Sequence, residues 1–150
     1  MDAVEELLAR QSIADVMHAY CRCADQNHND EQAELFAEDG VADWGRGELR
    51  GRAAISAFLA EALSKYSATS HHVSNIEIDF ADDDHASATS YVIAWHRHVE
   101  PGVEDFTLLG RYDDEWVRTA EGWRIARRGL RAAGGMGRDL PGNLPRRPSS

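Results

Sequence analysis

The sequence predicts an α+β fold, a cone-shaped, curved antiparallel sheet wrapped around about three helices that come from the N-terminal half. Three observations carry this expectation. Up to about residue 66 the apolar residues recur mainly at helical spacing, and beyond it the period changes to two. The period-two stretches are long and joined by short turns, which favours an antiparallel meander. The stretch from Ala86 alternates small residues with large apolar ones and ends in two histidines.

The first helix runs from residue 2 to about 24, with Val4, Leu7, Leu8, Ile13, Val16, Met17, Tyr20 and Ala24 near a 3.6-residue period. Asn27-His28-Asn29-Asp30 is a turn cluster, and Asn29 or Asp30 can cap a short second helix through Glu34-Leu35-Phe36. Asp39-Gly40 breaks it, and Val41-Ala42-Asp43-Trp44 alternates as a short strand. Gly45, Gly47 and Gly51 mark turns. A third helix from 52 to about 66 has one apolar face of Ala54, Ile55, Phe58, Leu59 and Leu63. Strands are expected over 70–80, 86–99, 106–119 and 123–132, with turns at Asp82-Asp83-Asp84, Pro101-Gly102 and Ala120-Glu121-Gly122. Residues 1–133 therefore read as one domain and 134–150 as a Gly/Pro-rich tail with three of the chain's four prolines. That tail reads as extended, and Met136, Leu140 and Leu144 can anchor it.

Helices followed by one antiparallel sheet give a layered α+β domain. On the strand from Ala86, one face carries Ala86, Ala88, Ser90, Val92, Ala94, His96 and His98, and the other Tyr91, Ile93 and Trp95. The small-residue face fits either a cavity wall or close packing of helices on the sheet. The apolar outer face predicts a homo-oligomer, a trimer or a dimer.

Composition narrows the function classes. At 150 residues the chain suits one core, and its 43% hydrophobic and 28% charged content is ordinary for a globular domain. A net charge of −10 repels phosphate backbones and anionic lipid, so neither nucleic acid nor a membrane is an expected partner. Cys21 and Cys23 are aimed apart on one helix, so they cannot close a normal disulfide, and they are too few for a zinc site, which points to a reducing compartment. No window holds the roughly 20 apolar residues of a membrane span, and the acidic start has no apolar signal region. The expected location is cytoplasmic.

Several motifs recur together. They are Ala24-Asp25 closing the first helix, Leu35-Phe36-Ala37-Glu38-Asp39-Gly40, Gly51-Arg52-Ala53-Ala54-Ile55, His71-His72-Val73-Ser74-Asn75, Gly110-Arg111-Tyr112-Asp113-Asp114 and Gly122-Trp123-Arg124-Ile125-Ala126-Arg127-Arg128. In this order and spacing the chain resembles the polyketide-cyclase-like (SnoaL-like) branch of the nuclear-transport-factor-like superfamily, across roughly residues 4–130. The resemblance implies a cystatin-like α+β barrel. Scytalone dehydratase and hexachlorocyclohexane dehydrochlorinase are relatives, as are the noncatalytic β subunits of ring-hydroxylating dioxygenases. It implies no cofactor and no metal, and a small-molecule substrate.

Asp25 lies near the inner stripe of its helix, at a C-terminus where the macrodipole disfavours an acid; its place calls for a compensating partner. Strict alternation groups His72 with Ile76, Ile78 and Phe80 on the apolar side, whereas the resemblance assigns the catalytic histidine to His71; a bulge would reconcile the two. The resemblance makes Asp25 and His71 an acid–base pair, in which the carboxylate fixes the histidine tautomer. It places His96 as a second pocket histidine and Arg128 as a group for a leaving group or an enolate oxygen. Read without the resemblance, Arg128 is equally one of several exposed strand arginines. Tyr20, Trp44, Phe58, Asn75 and His98 are candidate substrate-binding residues. The tyrosines that the dehydratase relatives use for water binding are missing at Ala24 and Trp44.

The expected function is a cofactor-free lyase of dehydratase type, or an isomerase, acting on a small, cyclic, largely apolar compound. A noncatalytic binding or structural subunit is the alternative from another class. A metal site on His96-x-His98, completed by Asp25 or His71, is a third.

Overall fold

The computed structural model describes residues 1–137. Helix α1 (Ala3–Gln26) starts at Asp2, whose carboxylate accepts from the Val4 and Glu5 N–H groups while Glu5 closes a capping box. It ends at Asn27, in the left-handed conformation at φ 58°. Its buried stripe is Ala9, Ile13, Met17, Tyr20, Cys21 and Ala24. Helix α2 (Asn29–Glu34) follows, without a side-chain cap. Then come β1 (Phe36–Asp43), β2 (Glu48–Arg50), α3 (Arg52–Leu63), β3 (Tyr66–Phe80), β4 (His85–His98), β5 (Phe106–Thr119) and β6 (Gly122–Met136).

The fold is α+β, as expected, with one six-stranded, curved and unclosed sheet in the order β2-β1-β6-β5-β4-β3. Strands β3 to β6 form the antiparallel meander. The sheet is not wholly antiparallel: β1 runs parallel to β6. It begins at Phe36, where the sequence reads as the end of a helix. Gly40 allows the irregularity between Phe36 and Val41, because a Cβ there would sit 2.9 Å from the Ala37 carbonyl oxygen and from the Phe36 Cβ. Bulges on β3 and β6 bend the long strands. With edges at β2 and β3, the structure is a curved sheet rather than a closed barrel.

The core lies between the helices and the concave face. Ile13, Met17, Phe36, Ile55, Val92, Trp116 and Ile125 are almost fully buried there. On β4 the small-residue face is buried, whereas Tyr91 is 50% and Ile93 49% exposed on the other. Strand β6 continues to Met136, so the expected boundary after residue 133 falls inside a strand that pairs Thr107 with Met136. The rest of the expected tail, 138–150, lies outside the described residues. Among the described residues, no helix is long and apolar enough to cross a membrane.

Candidate active site

Residues of the helices and the sheet together line a cavity of about 280 Å³, close to the lower end of the roughly 300–1,000 Å³ usual for ligand sites. Trp44, Leu59, Leu63, Phe106 and Leu108 supply apolar wall, and His71 and His96 reach it from β3 and β4. Ala94, the partner of His71 across the β3–β4 ladder, also lines it, so at this end of β4 the small-residue face serves a cavity. At its other end the same face packs in the core.

Asp25 sits in the last turn of α1, and β3 supplies what its charge needs. Its Oδ1 accepts from the His71 ring nitrogen Nδ1 at 2.7 Å and from the Thr69 hydroxyl at 2.9 Å, and the His71 backbone N–H reaches both oxygens at 3.0–3.1 Å. Burial alone would raise the Asp25 pKa; these hydrogen bonds outweigh it and hold the carboxyl below its ordinary value. An ionised carboxylate only accepts, so Nδ1 carries the hydrogen and Nε2 has the lone pair. Nε2 makes no hydrogen bond among the described residues. The His71 side chain is 9% exposed, with Asp25 behind it, away from the cavity lining.

The choice between the two histidines is settled by a bulge. Ser74 pairs with Tyr91 and Glu77 with Thr89, so β3 spends one residue more than β4 between those pairs. Asn75, at φ 51°, absorbs it. Inward parity is therefore even at Ile78 and odd at Val73 and His71. His72 points outward, exposed, and bonds Ser70 Oγ at 2.9 Å. Asn75 is thus not a substrate contact: it is exposed, and it shapes the strand that carries His71.

His96 is 8% exposed, with its ring 5.4 Å from that of His71, 4.6 Å from Tyr66 and stacked on Phe106. Burial first, then the neighbouring His71, pushes its pKa down to about 4, so its imidazole is neutral at pH 7. Among the described residues its buried Nδ1 has no hydrogen-bond partner.

Arg128 corrects another expectation. It lies opposite Asp114 on β5 and binds that carboxylate through two hydrogen bonds, 2.9 and 2.7 Å, with both side chains almost fully buried. The guanidinium is held between the Tyr20 and Tyr112 rings, 4.2 Å from each centroid. Burial opposes its charge, but Asp114 and the rings prevail and its pKa rises. Arg128 therefore stands behind the tyrosines that line the cavity, not in the lining itself.

Tyr20 and Trp44 do line the cavity, and burial raises the Tyr20 pKa to about 12. Phe58 is one layer back, stacked on Trp44 at 4.9 Å. His98 is also outside the lining; it meets the Tyr66 ring edge-on and accepts from the Glu100 N–H. It does not converge with His96, and among the described residues no three His, Cys, Asp or Glu side chains are placed to share a metal ion.

The sequence reading missed Thr69, Tyr66, Gln32 and Tyr112. Thr69 was legible, two residues before His71 on the same face. Tyr112 shares a period-two face with Asp114 and Trp116. Tyr66 was hidden because α3 ends at Leu63, whereas the sequence pattern reads as helix to about residue 66.

The chain belongs to the SnoaL-like domain family, whose pattern it matches over residues 5–129. It is 30% identical over 132 residues to the uncharacterized protein Rv2910c of Mycobacterium tuberculosis, covering 85% of this chain and 88% of that one. A solved protein from Novosphingobium aromaticivorans, described as a candidate scytalone dehydratase, is 32% identical with a TM-score of 0.84, covering 92% of this chain and 93% of that one. The fold is also that of the hexachlorocyclohexane dehydrochlorinase LinA-type3 from Novosphingobium barchaimii. There the identity is 17% and the TM-score 0.81, with 95% and 99% covered.

Proposed function

We propose that the chain is a lyase of dehydratase type, or an isomerase, acting on a small cyclic compound through Asp25–His71 general acid–base catalysis. The observation that carries this is the 2.7 Å contact of Asp25 with His71 Nδ1, made by a histidine whose ring lines a mostly apolar cavity. The likeness to a candidate scytalone dehydratase supports the same class.

In this reading His71 Nε2 takes a proton from carbon α to a carbonyl. The electron pair left behind forms the new double bond as a β-hydroxyl departs. That hydroxyl takes up the proton from the imidazolium and leaves as water. Asp25 holds the tautomer and stabilises the imidazolium. Neutral His96 offers a hydrogen bond to a substrate oxygen. Arg128 acts at a distance, by fixing Tyr20 and Tyr112. A second copy of the chain is proposed to cover the outer face around Tyr91 and Ile93.

The test is a panel of small cyclic β-hydroxyketones in D₂O, followed by NMR for deuterium entry at the α-carbon and for loss of water. His71→Ala should lower both by about 10²–10⁴-fold while the far-UV spectrum and melting curve stay native. Exchange and water loss that are equal in wild type and His71→Ala, or both absent across the panel, would reject the reading.

A further inference from the structure

In a chain with 26 acidic and 16 basic residues, the described lining of the cavity has no carboxylate, yet it has two cations, Arg46 and Lys65. Lys65 is the chain's single lysine. Neither cation meets a carboxylate within ion-pair distance among the described residues. Eight of the arginines do, including all those on β6. Lys65 Nζ instead stands over the Tyr66 ring at 5.5 Å, in the connection from α3 to β3.

Arg46 reaches the cavity from the β1–β2 loop, between Gly45 and Gly47, which have φ values of 83° and 99°. Those left-handed positions turn the loop without side chains of their own. The two acids that flank the loop are engaged elsewhere: Asp43 accepts from the Gly45 N–H at 2.8 Å, and Glu48 pairs with Arg50 and Arg127. The same loop carries Trp44, so it brings an aromatic surface and a charge to one cavity. Among the described residues, two cations without a carboxylate partner and no acid in the lining make this cavity of a strongly acidic protein a local site for negative charge.

We infer that the substrate is a cyclic carboxylate, with its ring against Trp44 and the apolar wall and its anionic group held by Arg46 and Lys65. This rests on the reading above only in taking the cavity as the substrate site. The ring carries the reacting carbon toward His71, and the carboxylate fixes its orientation without reacting. The cations also raise the local concentration of an anion that the rest of the surface repels.

The test uses ring carboxylates and their methyl esters, namely benzoate, cyclohexanecarboxylate and 1-naphthoate, titrated calorimetrically at low salt. At least one acid should bind about tenfold or more tightly than its own ester. Added salt should shrink that preference by screening, and Arg46→Gln/Lys65→Gln should reduce it toward unity with an unchanged melting temperature. If no acid in the set outbinds its ester, or if the double variant keeps the full preference, the inference is overturned. The readout is binding, so its fate is separable from the catalytic reading. An acid preference without His71-dependent exchange keeps the anion site and removes the proton transfer. Exchange without an acid preference does the reverse.

Discussion

Asp25 shows how a residue unfavourable to its own helix is retained by what lies across from it. The macrodipole at the end of α1 opposes its charge, and the Thr69 hydroxyl, the His71 ring and the His71 backbone N–H reverse that penalty. Asp25→Asn leaves an amide that can bond either ring tautomer. Turnover on any substrate that needs His71 should fall by about 10²–10⁴-fold, with the cavity intact in a crystal structure of the variant; turnover near wild type would remove the tautomer argument. His96 makes a second prediction, on stability. Its folded pKa of about 4 lies below the roughly 6.5 of an unfolded histidine. Its contribution is therefore full above about pH 6.5 and is lost as the pH falls toward 4, by at most about 3 kcal/mol. His96→Phe should flatten the fall in urea-unfolding free energy across that window. An unchanged slope would show that another group sets it.

Among the elements, the β5–β6 pair holds a charge where an apolar pair would pack more simply. Asp114 and Arg128 face each other across the ladder, sealed by Tyr20 and Tyr112. Removing one partner strands the other charge, so Arg128→Met should cost about 3–5 kcal/mol in urea unfolding, and Asp114→Leu/Arg128→Met should recover most of it. An Arg128→Met protein that is stable but inactive would return Arg128 to the chemistry. Strand β3 shows why part of the site was legible and part was not. Period two gave β4 its buried small-residue face without any knowledge of the fold. It misassigned the inner histidine because one left-handed residue, Asn75, reverses the parity midway. The family motif carried that information and alternation did not. The Asp114–Arg128 pair depends on register between two strands, which no local pattern contains, and so the arginine was placed one layer too near the substrate.

For the molecule as a whole, the α+β class and the meander followed from the change of period, but the parallel β1–β6 edge did not. β1 is short, lies between two helices, and has Asp39 and Gly40 in its middle, so its local signal is that of a break. Its partner comes from the far end of the described chain. The outer face offers the remaining prediction. Tyr91 and Ile93 are half exposed beside a groove that also includes Leu109 and Ala133. Light scattering at micromolar concentration should report a dimer or trimer, and Tyr91→Arg/Ile93→Glu should shift it to monomer. A monomeric wild type would reject the assembly.

The parallel pairing of β1 with β6 also governs the order of events during synthesis. β1 emerges from the ribosome early and β6 last of the described strands, so β1 spends the interval without its neighbour. The long loop closure between them must be paid before the contact rewards it, which slows folding relative to the local β3–β4 and β4–β5 hairpins. Trp44 and Arg46, which follow β1 directly, cannot take their places before that closure. A nascent chain released before Gly122 would therefore carry the Asp25–His71 partners and the central hairpins but no formed cavity, with the β5 edge open to other chains.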